Sequence, residues 1–113
     1  MKNILVIGSA GQIGSELVPE LRKRYDSTHV VAGIHKTRPP KELLELGPVE
    51  MVDVTDKEQL SSVVRKHKID TVYNLAAILS VVGEAKPLEA WHIGINGLLN
   101  VLEVSREYRC AVF

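Results

Sequence analysis

A chain of 113 residues is long enough for one hydrophobic core and no more. Its fourteen basic and fourteen acidic residues cancel, which removes the positive field that recruits nucleic acid or an anionic membrane, and no apolar run approaches the length of a bilayer span. The single cysteine, Cys110, excludes an internal disulfide and a thiolate metal cluster.

Lys2 leads directly into a strand and glycines, which is not the pattern of a signal peptide, so a soluble cytoplasmic protein is expected. Ile4-Leu5-Val6-Ile7 reads as a buried strand that turns abruptly, through Gly8-Ser9-Ala10-Gly11, into a helix starting near Gln12. That helix places Ile13, Leu17 and Leu21 on one stripe and Glu16, Glu20, Arg22 and Lys23 on or near the wet side. Pro19 lies inside it and predicts a kink, at a typical cost of about 3 kcal/mol, rather than an end. His29 to Ile34 is a second strand. His35 to Pro48, with Pro39-Pro40 and Gly47-Pro48, reads as a loop interrupted by a helical turn around residues 42–46.

Val49 to Val52 forms a third strand ending at Asp53, and Thr55-Asp56-Lys57-Glu58 has the spacing of a capping box for a helix whose apolar face is Leu60, Val63, Val64 and His67. Asp70 to Ala76 is a fourth strand. Pro87 opens a long helix, running out near Tyr108, whose buried stripe is expected to hold Leu88, Trp91, Ile95, Leu98, Leu99 and Leu102. A fifth strand begins at Cys110, whose apolar surroundings mark it as a core side chain rather than a nucleophile. The alternation implies an α/β fold, a Rossmann-type doubly wound parallel sheet in strand order 3-2-1-4-5, truncated at the fifth strand.

In such sheets ligands bind beyond the carboxyl ends of the strands, where the order reverses, and Gly8, Gly33, Asp53 and Ala76 all fall there. The glycine triplet Gly8, Gly11 and Gly14 suits a dinucleotide. The first two let the backbone bend tightly beside a ligand, the third lets the helix pack on its strand, and the helix start offers N–H groups and the positive end of its dipole to a pyrophosphate. G-x-x-G-x-x-G alone is a weak signal, and the strand before it and helix after it supply the specificity.

From Lys2 to Phe113 the chain resembles the extended short-chain dehydrogenases, most closely their L-threonine 3-dehydrogenase branch. The resemblance rests on Gly8 to Leu17, on Asp53-Val54-Thr55-Asp56, on Asn74 to Ser80, on Gly83-Glu84-Ala85 and on Gly97 to Glu103. It implies that Gly8, Gly11, Gln12, Ile13 and Gly14 hold the pyrophosphate of NAD. It further implies that Asp53 and Val54 meet the adenine, that Leu75, Ala76 and Ala77 line the adenosine and nicotinamide ribose, and that Ser80 lies near the substrate's polar end. Dimerisation through the helix 87–108 is implied as well, with a small molecule as substrate and neither nucleic acid nor membrane as partner.

Two departures qualify this. Relatives that use NAD carry an acidic residue at the end of the second strand, where this chain has Gly33-Ile34; His35, Lys36 and Arg38 follow and could pair with a 2′-phosphate. NAD is retained because the close relatives use it, with NADP as the alternative. Relatives also place an asparagine where this chain has Gly94, for which no physical account is at hand. The resemblance further implies a Tyr-x-x-x-Lys pair that moves the substrate's proton, and none of Tyr25, Tyr73 and Tyr108 has a lysine four positions later. The expectation is therefore a cofactor-binding fragment of an L-threonine-oxidising enzyme, inactive by itself. The alternatives are a fragment of a nucleotide-sugar epimerase or dehydratase and a non-catalytic NAD(P)-binding module.

Overall fold

The branched apolar runs become strands of one parallel sheet in the computed structural model, which describes residues 2–9, 12–35, 41, 47–75 and 87–113. The strands are β1 (Ile4–Ile7), β2 (Val30–Ile34), β3 (Val49–Met51), β4 (Thr71–Asn74) and β5 (Ala111–Val112), and their spatial order is β3-β2-β1-β4-β5. Each pair is parallel, with Ile7 level with both Gly33 and Asn74. The side-chain period of two splits the core. Leu5, Ile7, Val31 and Val72 face one side with Leu60, Val63, Val64, Val101 and Val104, whereas Ile4, Val6, Val30 and Ala32 face the other with Val18 and Leu21. Both faces of the central strands are thus covered, which is why those strands read as unbroken apolar runs. The fold is the doubly wound Rossmann type.

Helix α1 (Gln12–Arg24) covers the second face and runs on through Pro19, which is exposed. Arg22 does not lie on the wet side as expected. It is buried, and its guanidinium donates to the carbonyls of Val30 (3.2 and 3.3 Å) and Pro48 (2.7 Å). The main chain leading into β2 and β3 thus supplies the acceptors that make burial tolerable. A Cβ on Gly47 would come within 2.6 Å of Arg22 Nε, so the glycine makes room for this clamp. His29, assigned to the second strand from the sequence, instead ends a short 3-10 turn (Ser27–His29) capped by Asp26.

Helix α2 (Lys57–Lys66) buries Leu60, Val63 and Val64, as its periodicity requires. Its cap differs from the expected Thr55–Glu58 box. Asp53 Oδ1 already accepts from the backbone N–H (3.0 Å) and hydroxyl (2.6 Å) of Thr55, so the helix begins one residue later, with Asp56 accepting from Gln59 N–H (3.1 Å). His67 closes the helix by bonding Glu50 Oε2 across 2.8 Å, a polar rather than an apolar contact, and Lys66 reaches the same oxygen at 3.1 Å. Burial would raise the Glu50 pKa, but the bonds from His67 and Lys66 outweigh it and hold the carboxyl below its ordinary range.

Helix α3 (Pro87–Glu107) corrects the expected stripe. Gly97, Val101, Val104 and Ser105 form its buried side, while Ile95, Leu99 and Leu102 are exposed. The helix carries apolar residues on two faces, and the smaller set faces inward because Gly97 sits directly on Val54, where a Cβ would approach Val54 Cγ2 to 2.5 Å. Leu88 and Trp91 have side chains outside the described set, as do all residues of the expected turn at 42–46. Helices α2 and α3 both end without glycine. Lys68 and Arg109 take the left-handed conformation, and the following amides of Ile69 and Cys110 return to Val64 and Ser105. Cys110 is half-buried, its Sγ 3.1 Å from the Ile69 carbonyl, and burial followed by the Asp70 charge pushes the thiol pKa up, which suits packing and not nucleophilic attack.

Candidate dinucleotide site

The register that aligns Ile7 with Gly33 and Asn74 brings Gly8, His35 and Leu75 out of the sheet along one edge. Chain reversal starts at Gly8, whose φ of 83° is the left-handed conformation that favours glycine. The amides of Gly8 and Ser9 both donate to the Gly33 carbonyl, at 3.1 and 3.0 Å, and the Ser9 hydroxyl donates to Val6 O. These groups close the bend onto its neighbours and are spent in doing so. Donors offered to a phosphate would therefore come from the start of α1, at Gln12, because the first N–H groups of a helix lack an acceptor one turn earlier. Gly14 is buried against the bend: a Cβ there would lie 2.6 Å from Ser9 Cα and closer still to the Gly8 carbonyl. A bend packed this tightly on its helix is the cradle a pyrophosphate requires.

The second end of the crevice is built from side chains at the β2–β3 edge. His35 follows β2 directly, and its Nε2 stands 3.4 Å from Asp53 Oδ2. Asp53 is fixed by its two bonds from Thr55 and by its own amide, which donates to Gln59 Oε1 at 2.6 Å. Val54 is fixed by Gly97 beneath it and by Asn100, whose Nδ2 donates to the Val54 carbonyl at 2.8 Å. Leu75 completes the edge beside β1, its amide on the Ile7 carbonyl at 3.0 Å, and packs against the apolar cluster under α1.

The structure thus brings together Gly8, Gly14, His35, Asp53, Val54 and Leu75. Gly11, Lys36, Ala76, Ala77 and Ser80 lie outside the described residues, as do the side chains of Gln12 and Ile13. Sequence reasoning missed Gln59 and Asn100 as supports of the 53–55 turn. Asn100 carried a signal, an amide one turn from Gly97 and beside the buried Val101. It also missed Asn74, whose Oδ1 is buried at the end of β4 with no hydrogen-bond partner. The unpartnered Asn74 acceptor fits a ligand hydroxyl that can donate to it, and a bend that admits no Cβ at Gly14 fits a pyrophosphate. A bound nicotinamide dinucleotide would supply the hydride-accepting ring.

Comparison with known proteins agrees. Residues 4–113 match the profile of the NAD dependent epimerase/dehydratase family. An uncharacterized epimerase/dehydratase of Staphylococcus epidermidis is 42% identical over 113 residues, covering all of this chain and 36% of the relative. The solved L-threonine dehydrogenase of Clostridium difficile superposes with a TM-score of 0.90 at 43% identity, covering all of this chain and 35% of that one. The UDP-glucose 4-epimerase of Thermotoga maritima superposes with a TM-score of 0.76 at 27% identity, over 96% of this chain and 35% of that one. The chain spans about a third of the length of these relatives. It belongs to the NAD dependent epimerase/dehydratase family.

Proposed function

We propose that the chain is the cofactor-binding part of an oxidoreductase of the L-threonine 3-dehydrogenase kind, which takes L-threonine to 2-amino-3-oxobutanoate with NAD. The observation that carries the reading is the β1–α1 bend, too tight for any side chain at Gly14 and followed at once by the amides of a helix start. The threonine assignment draws on the likeness to the Clostridium enzyme over the whole chain. In this reading Gly8 and Gly14 shape the bend, the amides of α1 hold the pyrophosphate, and Asp53 and Val54 receive the adenine. Leu75 borders the ribose, and Ser80 lies toward the substrate. Since the 113 residues hold no Tyr-x-x-x-Lys pair, this chain binds cofactor without turning substrate over.

Calorimetric titration tests the site. Micromolar binding of NAD is expected, and the absence of binding by both NAD and NADP would overturn the reading. A second reading, a part of a nucleotide-sugar epimerase, is favoured by the likeness to the Thermotoga enzyme. Assay of the longer protein that carries this chain separates the two: threonine-dependent reduction of NAD supports the first, and UDP-glucose epimerisation without it supports the second. The exposed Ile95, Leu99 and Leu102 of α3 support pairing of two copies through that helix. Sedimentation equilibrium is expected to show a dimer that Leu99→Lys dissociates, and a monomer at high concentration would contradict it.

A further inference from the structure

We propose that the ribose end of this site admits a 2′-phosphate, so that the chain binds NADP as well as NAD, with His35 as the donor and Asp53 as its positioning residue. The inference rests on the dinucleotide reading above and concerns its selectivity.

Selectivity in such crevices is set at the carboxyl end of β2, where a carboxylate accepts from the ribose 2′-hydroxyl and repels a 2′-phosphate. Here that place holds Gly33-Ile34, and the Gly33 carbonyl is tied to the amides of Gly8 and Ser9, which sets it against the bend itself. A Cβ on Gly33 would stand 3.2 Å from both Val52 Cγ2 and the Val6 carbonyl, so the position is both acid-free and already closely packed.

Among the described residues the carboxylate at this edge is Asp53, and both of its oxygens have partners. One oxygen accepts twice from Thr55, and the other faces His35 Nε2 at 3.4 Å. Among the described residues, the side chain next along this edge is the half-exposed His35, turned so that one ring nitrogen addresses Asp53. A 2′-hydroxyl both donates and accepts, whereas a 2′-phosphate offers acceptors alone and calls for N–H donors. An imidazolium between a carboxylate and a phosphate donates from both nitrogens and cancels the Asp53 charge that would otherwise repel the ligand. The exclusion of NADP that an acid at the end of β2 would impose is thus absent, and an imidazole follows in its place.

Titration calorimetry of the 113-residue chain with NAD, NADP, AMP and adenosine 2′,5′-bisphosphate tests this. NADP is expected to bind within tenfold of NAD, and the bisphosphate at least as tightly as AMP. His35→Ala should weaken NADP tenfold or more while changing NAD less than threefold. NAD binding with NADP more than tenfold weaker would overturn the proposal and leave the dinucleotide site standing, as would equal losses for both cofactors in His35→Ala. If NAD and AMP both fail to bind, the dinucleotide reading fails and this inference with it. The bisphosphate and AMP comparison on the unaltered chain decides the matter even if the variant does not fold.

Discussion

The two ends of the crevice are made of different material. The β1–α1 bend is made of backbone: Gly8 turns the chain, Gly14 lets the helix sit on the turn, and in the proposed function the amides at the start of α1 are the donors. The β2–β3 edge is made of side chains, with Asp53, Thr55, Gln59 and Asn100 holding the 53–55 turn through hydrogen bonds and His35 standing 3.4 Å from Asp53. Backbone amides hold any pyrophosphate alike, so in the proposed function the first end sets whether a dinucleotide binds. Side chains differ in charge and donor count, so in the same reading the second end sets which one.

Substitutions that touch one end alone break or sharpen this contrast. The largest effect is expected of Gly14→Ala. Its Cβ would overlap main-chain atoms of residues 8 and 9, which cannot rearrange like a side chain, so a loss of roughly 3 kcal/mol or more in folding stability is expected, with NAD and NADP lost together. Thermal unfolding and calorimetry read both, and a stable variant that still binds NAD and NADP would refute the backbone account of this end.

Asn100→Ala should cost less, about 1–2 kcal/mol, by leaving the Val54 carbonyl short of its donor. Its affinity for AMP should fall while a ligand lacking adenosine, such as nicotinamide mononucleotide, is held as before. Equal losses for both ligands would mean that the turn at 53–55 does not serve the adenosine end alone.

The smallest effect is expected of Glu50→Gln, behind β3. Because the folded-state pKa of Glu50 is lowered, its contribution, about 1 kcal/mol, is full above the unfolded carboxyl value near 4.3 and disappears as pH falls through the lower folded-state value. Denaturant midpoints of the two chains should therefore differ at pH 7 and converge below about pH 3. A gap that persists in acid would assign the effect to packing instead of charge.

Much of this was legible in the sequence wherever one residue pattern had one structural outcome. The branched runs gave strands, the glycine spacing placed the helix start at Gln12, and the strand order followed from the alternation of elements. Legibility failed where a side chain had two uses. Thr55 could cap a helix or fill an Asx turn, and the nearby Asp53 carboxylate claimed it first. Arg22 looked like a solvated charge on helical spacing alone, because the carbonyls of Val30 and Pro48 that receive it come from other segments. The long helix offered two apolar faces, and the small residue Gly97, rather than the leucines, decided which one met Val54. His35 and Asp53 were each named as candidates from the sequence, yet their approach across 3.4 Å depends on the parallel register of β2 and β3.

The claim that α1 amides receive the pyrophosphate is tested most directly by titrating the isotopically labelled chain with NAD and following its backbone amide resonances. The account predicts the largest shifts at Gln12, Ile13 and Gly14, with Gly8 and Ser9 still bonded to the Gly33 carbonyl and slow to exchange. Binding whose largest shifts fall away from the start of α1, or exchange at Gly8 and Ser9 that speeds up as NAD binds, would contradict it.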